Sequence, residues 1–397
     1  MNKSSFTLGP AIVITAAFIG PGSLTVCAIA GVKFGHELLW AVFLSCLITI
    51  FLQNSVASLS HKTGKGLVEL FNYKINNSVL RYSFTAIVLV AIFVGNAAYE
   101  AGNISGAYLG LNKFIELSSI KFIQFPPEII IFLISLIIMI IIMRDNNRLI
   151  KNILGIAVLV MSISFLVASI LTKPNIYDVL SGFLIPSWSP DMWKTIIAVL
   201  GTTVVPYNLF LHAALVKQDL NLNKSYLIRD TTIAVSFGGI ISSSIIITAA
   251  GANINQIESI NDLGDTLKNL YGIRSHIFIS IGLFTAGLSS AITAPIAAGY
   301  VVEETFINHK HKIFLKNTAI SLVVILGLLF TIFGYKPIEL IRIAQVTNGL
   351  LLPGVALFIS FLCFPNNEDA LIKKIRFLCL LILFIFFSYL AFKVLFL

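Results

Sequence analysis

The chain has 397 residues, of which 57% are hydrophobic and only 11% are charged, and its mean hydropathy is +0.94. Soluble domains usually carry about 25% charged residues. This composition therefore excludes a soluble enzyme or binding module and indicates an integral membrane protein. The net charge of +9 arises from basic residues scattered among short loops, which favours orientation signals over nucleic-acid binding.

Runs of apolar residues long enough to cross a bilayer predict eleven transmembrane helices. These spans 1 to 11 cover approximately residues 10–31, 37–60, 80–111, 127–143, 149–171, 191–216, 228–251, 276–304, 314–333, 338–364 and 374–396. The longest connections, 172–190 and 252–275, are expected to be outer loops, the second a solvated one.

Spans 1–5 and spans 6–10 form two halves of similar length, about residues 10–171 and 191–364, and span 11 (374–396) is extra. Because five is odd, the second half starts from the opposite side of the membrane and is inverted. The chain is therefore expected to be a single all-α transmembrane transporter domain, residues 1–397, with the five-plus-five inverted repeat of the LeuT-like fold.

Most lysines and arginines lie on one side of the membrane when the N-terminus is placed inside, for example Lys62, Lys65, Lys217 and Lys316. The positive-inside rule then places the N-terminus in the cytoplasm and the C-terminus outside. The abundance of Ile, Asn and Lys is typical of an AT-rich bacterial genome, which favours a multi-pass protein of the cell (inner) membrane.

The first span of each half is interrupted near its middle. Span 1 contains Gly20-Pro21-Gly22-Ser23, and span 6 contains Gly201-Thr202-Thr203-Val204-Val205-Pro206. Proline removes a backbone donor, and an unwound helix is tolerated in a membrane only inside protein or around a watery cavity. A pair of such breaks in corresponding halves is the best pointer in a sequence to the substrate site of a transporter.

The side chains at the two breaks, which are the predicted substrate-binding residues, are neutral. They are Gly20, Gly22 and Ser23 on span 1, and Thr202, Thr203, Val205, Tyr207 and Asn208 on span 6. Gln345 on span 10 is added as a candidate lining residue, although a polar contact between helices explains it equally well. Neither break contains a carboxylate, a thiolate or a thioether, so the identity of any bound metal is left open.

Glu100 is the one carboxylate deep within a span, where an ionisable group costs about 3 kcal/mol or more unless it faces a cavity or a partner. It shares a helix face with Asn103, and His212 follows Asn208 by four residues on span 6. We interpret Glu100, Asn103 and His212 as proton-coupling residues, the alternative being polar packing contacts.

Two further groups have simpler interpretations. Glu303 and Glu304 end span 8 beside a basic loop and are predicted to form solvated ion pairs. The four cysteines lie in apolar spans without any metal-ligand spacing and are predicted to be free thiols. No cofactor is expected.

Several motifs together resemble the Nramp family of divalent-metal transporters. Phe18-Ile19-Gly20-Pro21-Gly22-Ser23 is similar to the family's Asp-Pro-Gly-Asn break, and Val205-Pro206-Tyr207-Asn208-Leu209-Phe210-Leu211-His212 is similar to its Met-Pro-His-Asn-Leu-Tyr-Leu-His segment. Further similar stretches are Phe34-Gly35-His36-Glu37-Leu38-Leu39-Trp40 and Gly287-Leu288-Ser289-Ser290-Ala291-Ile292-Thr293. The resemblance runs along spans 1–10.

The resemblance implies proton-coupled symport of manganese, iron or related ions, but the residues that it assigns to the metal have changed. The family's Asp, Asn, Ala and Met correspond to Gly20, Ser23, Thr202 and Val205, where only a backbone carbonyl at Thr202 is retained as a ligand. Its first span-6 histidine becomes Tyr207, its second is kept as His212, and its span-3 acidic pair becomes Glu100 and Asn103.

These observations predict a non-enzymatic secondary transporter with a remodelled, neutral site that moves another small polar or anionic solute in place of Mn or Fe. One alternative is transport of a hydrated hard ion such as magnesium, which needs few direct ligands. A second alternative is a non-transporting sensor on a transporter scaffold. The expected partners are the lipid bilayer, a small solute or ion and protons, with no nucleic acid.

Overall fold

The computed structural model describes residues 20–118, 125–144, 148–218, 220–221, 223–252, 254–334, 336–364 and 371–396. Within these ranges the secondary structure is helical, without strands. In chain order the helices are α1 (Pro21–Phe34), α2 (Leu39–Thr63), α3 (Leu67–Lys74), α4 (Ser78–Leu117), α5 (Pro127–Met143), α6 (Arg148–Leu171), α7 (Ile176–Leu184), α8 (Trp193–Thr203), α9 (Pro206–Gln218), α10 (Lys224–Ala250), α11 (Ile260–Thr266), α12 (Lys268–Tyr271), α13 (Ser275–Thr305), α14 (Lys312–Phe333), α15 (Pro337–Leu362) and α16 (Leu371–Phe396).

The helices confirm the eleven predicted spans. In the described part of the chain, eight helical segments are long and apolar enough to cross a bilayer, and three shorter apolar helices account for spans 1, 4 and 5. The predicted limits agree with the observed ones to within a few residues, apart from the C-terminal end of span 3, which extends to Leu117. The part of span 1 that precedes Gly20 lies outside the described residues.

Both predicted breaks coincide with helix ends. Helix α1 begins at Pro21, in the middle of the apolar run, and proline at the first helical position has a suitable φ and lacks an amide that would be unpaired there. In span 6, α8 ends at Thr203, Val204 and Val205 are not helical, and α9 starts at Pro206. The broken span 6 is buried throughout its apolar window, as a helix interrupted within a membrane requires.

Small residues allow the central helices to cross closely. A side chain at Gly110 of α4 would overlap the backbone of α13, and one at Gly287 of α13 would overlap the backbone of α4. Gly106 of α4 faces Pro21, where a Cβ would come within 2.5 Å of the proline ring. Such contacts between small residues are the usual means by which membrane helices associate, and here they bring α4 against the start of α1.

The two long connections are more ordered than the sequence predicted. Residues 172–190 contain helix α7, whose apolar side chains Ile176, Tyr177 and Leu184 are exposed, which is typical of a helix lying in a membrane interface. Residues 252–275 contain α11, which begins with a capping box formed by Ser259 and Asp262. The prediction of a solvated loop for 252–275 agrees with the exposed Glu258 and the partly exposed Asp262 and Asp265, but not with the apolar residues Leu263 and Leu267, which are buried in the core.

Candidate functional site

The span-1 side of the site is the start of helix α1, which lies inside the protein. Gly20 is buried, adopts an extended conformation and precedes α1, and no side chain caps the helix. Gly22 and Ser23 lie in the first turn and are also buried. The first amides of a helix have no partner within the helix, and the helix dipole gives this end partial positive charge.

The span-6 side presents the end of one helix and the start of another. Thr202 and Thr203 form the last residues of α8, and their hydroxyl groups approach the Val199 carbonyl oxygen at 2.9 and 3.4 Å. The last carbonyl groups of α8 have no partner within the helix, as at any helix end, and Pro206 starts α9 on the other side of Val204 and Val205. Val205, buried in the gap itself, provides only apolar surface.

Gln345 of α15 joins the two breaks. Its side-chain amide lies against Gly22, where an added Cβ would overlap Nε2, and its backbone carbonyl lies equally close to Gly201 of α8. The Gln345 side chain is buried, and its Oε1 atom has no hydrogen-bond partner among the described residues. The structure therefore brings the predicted residues Gly22 and Gln345 together at one point.

Tyr207 and Asn208 occupy the first turn of α9 and are both buried. The Tyr207 ring packs edge-on against Tyr99 of α4, with ring centroids 5.2 Å apart, which connects the break of span 6 to span 3. Neither side-chain atom of the Asn208 amide has a hydrogen-bond partner in the described part of the chain. The Asn208 amide is thus one of the polar groups that remain for a substrate or for water.

Several buried polar side chains without a hydrogen-bond partner lie at the breaks or on the helices beside them. Buried polar groups in native structures almost always have a hydrogen-bond partner, and exceptions indicate water or a ligand. Among the described residues, buried side-chain atoms without such a partner include those on Thr25, Gln53, Glu100, Asn103, Asn208, His212, Gln345 and Asn348. Further such atoms lie on Trp40, Asn54, Ser60, Thr231 and His276, so that unpartnered polar groups are present at the breaks without being confined to them.

Glu100 is completely buried in α4 and has the Asn103 side chain beside its carboxyl group, but among the described residues no hydrogen bond of standard geometry reaches either carboxylate oxygen. Its side chain packs against Gly327 of α14, where a Cβ would come within 2.6 Å of the Glu100 Cγ atom. Asn103, one turn further along α4, is buried as well. The absence of a side chain at position 327 leaves the space that the glutamate occupies.

His212 is fully buried in the middle of α9, and both ring nitrogens lack hydrogen-bond partners in the part of the chain described. No hydrogen bond joins His212 to Glu100 there. The structure therefore places the proposed proton-coupling residues on two different helices, and they would require water to communicate.

Sequence reasoning missed several polar residues of this region. Asn348 lies one turn beyond Gln345 on α15 and approaches Gly95 of α4; its spacing from Gln345 was a usable signal. Tyr99 gave no signal, because its contact with Tyr207 depends on how α4 and α9 pack. The ion pair predicted for Glu303 is present, with Lys316 at 2.7 Å. The same prediction was wrong for Glu304, which is buried.

The chemistry available at the breaks is that of neutral groups and helix ends. Within the described residues, no group of three or more His, Cys, Asp or Glu side chains is placed to hold a metal ion. The starts of α1 and α9 favour negative charge, and the end of α8 favours positive charge.

Comparison with known proteins identifies similar chains over almost the whole length. The sequence profile described as "Natural resistance-associated macrophage protein-like" (Nramp) matches residues 11–395. The divalent metal cation transporter MntH of Deinococcus radiodurans is 24% identical over 351 residues, covering 85% of this chain and 77% of its own length. The protein of the same name from Bacillus subtilis is 27% identical over 378 residues, covering 91% and 84%.

Solved structures show the same fold. The Eremococcus coleocola manganese transporter, in complex with an aromatic bis-isothiourea compound, matches 98% of this chain and 88% of its own with a TM-score of 0.73 and 20% identity. Mhp1, a nucleobase-cation-symport-1 family transporter, matches 97% of this chain and 90% of its own with a TM-score of 0.60 and 14% identity. These similarities support the LeuT-like architecture with its two broken helices.

Proposed function

The chain belongs to the Nramp family, and from this premise we propose that it is a secondary-active transporter that works by alternating access around the breaks of spans 1 and 6. The whole chain then acts as a single transmembrane transport domain, built from the repeats 10–171 and 191–364 with span 11 added. The distribution of basic residues supports a cytoplasmic N-terminus and an outer C-terminus in the cell membrane.

The observation that carries the finer proposal is the neutrality of the site. The four positions to which the resemblance assigns metal ligands are occupied by Gly20, Ser23, Thr202 and Val205. Divalent ions stripped of water need anionic or soft ligands to offset the loss of hydration. A hydroxyl group, an amide and backbone carbonyls compensate poorly for that loss.

We therefore assign to this site a small polar or anionic solute in place of Mn or Fe. Two helix starts, at Pro21 and Pro206, direct partial positive charge into the site. The unpartnered side-chain amide of Asn208 adds a neutral donor and acceptor, and the unpartnered Oε1 atom of Gln345 adds an acceptor. An anionic or zwitterionic group is accepted by such an arrangement, much as anions are bound at helix starts elsewhere.

Proton coupling in this proposal depends on Glu100, assisted by Asn103, and on His212. A buried carboxylate whose polar neighbour is the neutral Asn103 is costly in a membrane interior, and ionisable groups in such positions typically mark proton pathways. The neighbouring Tyr99 contacts Tyr207 at the site, which connects the acidic position of α4 to the break in span 6.

Divalent-metal transport is the second candidate, and one observation favours it. Relatives of comparable length, 24–27% identical, carry the name divalent metal cation transporter. The carbonyl groups at the end of α8, including that of Thr202, together with Asn208 would then be the remaining ligands. Such a site suits a hydrated magnesium ion better than a dehydrated soft ion.

Calorimetric titration of the purified protein with manganese, magnesium and cadmium tests these alternatives. The comparison is the variant Gly20→Asp/Ser23→Asn/Val205→Met, which introduces the side chains that the similar Nramp motifs carry at these three positions. The matched control Gly20→Asn/Ser23→Asn/Val205→Leu has almost the same size without the charge and the sulfur. We expect the wild type and the control to give no heat of metal binding and the Gly20→Asp/Ser23→Asn/Val205→Met variant to bind the metal ions. Micromolar binding of manganese by the wild type would refute the remodelled site and support metal transport.

A further inference from the structure

The Glu304 carboxylate connects two helices at the end of the transport pathway. It lies in the last turn of α13 and is only 6% exposed. Its Oε2 atom accepts a hydrogen bond of 3.1 Å from the backbone amide of Val68, in the first turn of the short helix α3. A carboxylate of one transmembrane segment therefore caps a helix in the connection between spans 2 and 3.

Gly66 makes this contact possible. It is the N-cap residue of α3 and provides no side-chain cap of its own. A Cβ at position 66 would overlap the carboxylate of Glu304, with both oxygens and the carboxyl carbon too close. The cap that Ser, Thr, Asp or Asn usually supplies at this position is thus replaced by a residue 238 positions later in the chain (304 − 66).

A second set of contacts ties the same segment to span 6. Glu69 of α3 forms salt bridges with Lys65, at 3.2 Å, and with Lys217 in the last turn of α9. The next residue, Gln218, donates a hydrogen bond of 3.0 Å from Nε2 to the Tyr300 hydroxyl group of α13. Helices α3, α9 and α13 are consequently held together at one end of the bundle.

These contacts lie at the basic face, which the positive-inside rule assigns to the cytoplasm. Tyr300 and Glu304 share a face of α13 with Ala297, which is fully buried. Helix α9 begins at the break of span 6 and ends at Lys217 and Gln218, which make the salt bridge and the hydrogen bond just described. Separation of α9 from α13 would open a route from the break to this face, and these contacts oppose that separation.

We propose that Glu304 keeps the cytoplasmic end of the pathway closed by holding α3 against α13. The contact between the Glu304 carboxylate and the backbone amide of Val68 is called the latch below. The proposal rests on alternating access as proposed above. When the latch opens, the carboxylate moves into an adjoining cavity of about 850 Å³, which is also lined by Lys65, Arg81 and His309. Water and these basic groups then replace the amide of Val68, so that the charge is never left unpaired in an apolar environment.

The test measures access from the cytoplasmic side and requires no knowledge of the substrate. Ala297→Cys is introduced as a reporter into a chain whose four native cysteines have been replaced. Its modification by a membrane-impermeant methanethiosulfonate is timed in inside-out vesicles. We expect Glu304→Ala to accelerate modification roughly tenfold, the factor for losing one hydrogen bond to a charged group.

Two further variants make the result specific. Gly66→Ala displaces the same carboxylate without removing it, and we expect it to accelerate modification to a similar extent. The double variant Gly66→Ala/Glu304→Ala should be no faster than Glu304→Ala, because both changes act on one contact. Glu303→Ala is the matched control, since it removes the pair with Lys316 and leaves α3 untouched; its rate should equal that of the parent.

Size-exclusion chromatography and thermal unfolding verify that every variant is folded. An unchanged rate in a folded Glu304→Ala variant would overturn the latch, and so would an equal acceleration by Glu303→Ala. Because the assay detects opening of the cytoplasmic side and not substrate binding, a calorimetric result that refutes the remodelled site would leave this test of the latch intact.

Discussion

The side-chain amide of Gln345 lies directly against the α-carbon of Gly22, so that the two residues close the space between span 10 and the break of span 1. Gln345 also touches Gly201 through its backbone carbonyl. One residue of α15 is therefore the neighbour of both interrupted spans, and any substrate held between the breaks lies beside it.

Replacing Gly22 by alanine should destabilise the protein, because the new methyl group overlaps the Gln345 side chain. Overpacking of this kind usually costs about 1–3 kcal/mol. We expect the additional substitution Gln345→Ala to recover most of that loss, as measured by thermal unfolding in detergent. Equal unfolding temperatures for the single and double variants would show that another contact is responsible.

Replacing Glu100 by glutamine should remove the effect of a proton gradient on uptake. The side chain keeps its size and its position against Gly327, but it can no longer be ionised. Proteoliposomes with and without an imposed pH gradient provide the measurement, with Glu116→Gln, on the exposed end of α4, as the control. Gradient-driven uptake by the Glu100→Gln variant at the wild-type rate would contradict the proton-coupling role.

Replacing His212 by leucine distinguishes a proton relay from a packing residue. Both ring nitrogens are buried without a hydrogen-bond partner among the described residues, and an apolar side chain of similar size removes this unfavourable burial. We expect the unfolding temperature to stay the same or to rise, while proton-driven uptake falls. A decrease in stability would indicate that the histidine is a structural contact.

The Glu69 pair should stabilise the protein only above the acidic range. Burial raises the pKa of Glu69, but the hydrogen bonds and charges of Lys217 and Lys65 outweigh that effect and lower the pKa below its usual value of 4.5. For a carboxyl group with a lowered pKa, the stabilisation is present above the unfolded-state value and is lost as the pH falls through the folded-state value.

We therefore expect the wild type to unfold at a higher temperature than Glu69→Gln near pH 7, by an amount equivalent to at most about 1 kcal/mol. The difference should disappear below the lowered pKa of Glu69. Thermal unfolding of both proteins between pH 7 and pH 3 provides the test, and a difference that persists at the lowest pH would exclude the ion pair as its cause.

The sequence predicted the spans and the breaks because these depend on local properties. A run of about 20 apolar residues has one favourable location, the bilayer, and Pro21 and Pro206 interrupt a helix whatever surrounds them. The residues at the breaks could be named for the same reason. Gln345 could be named as a candidate lining residue, but its contact with Gly22, 323 residues away (345 − 22), could not be predicted, since nothing in its own segment specifies that contact.

The burial of Glu304 could not be predicted from the residues around it in the sequence. Its neighbours in the sequence are another glutamate and a basic loop, which favour a solvated ion pair, and Glu303 indeed forms one. The side chain of Glu304 leaves α13 in a different direction and enters the gap above Gly66. Successive residues point about 100° apart around a helix, so that Glu303 and Glu304 face different surroundings. Only the position of α3 decides which of the two is buried.

By itself, the sequence determined that this chain crosses a membrane eleven times, that two spans are interrupted and that the interruptions carry no charged side chain. Those properties follow from residue hydrophobicity and backbone chemistry. The tertiary structure alone decided that Gln345 lies between the breaks, that Glu100 faces Gly327 and that Glu304 caps α3. Such contacts depend on helix packing, in which small residues set how closely the backbones approach and which side chains meet.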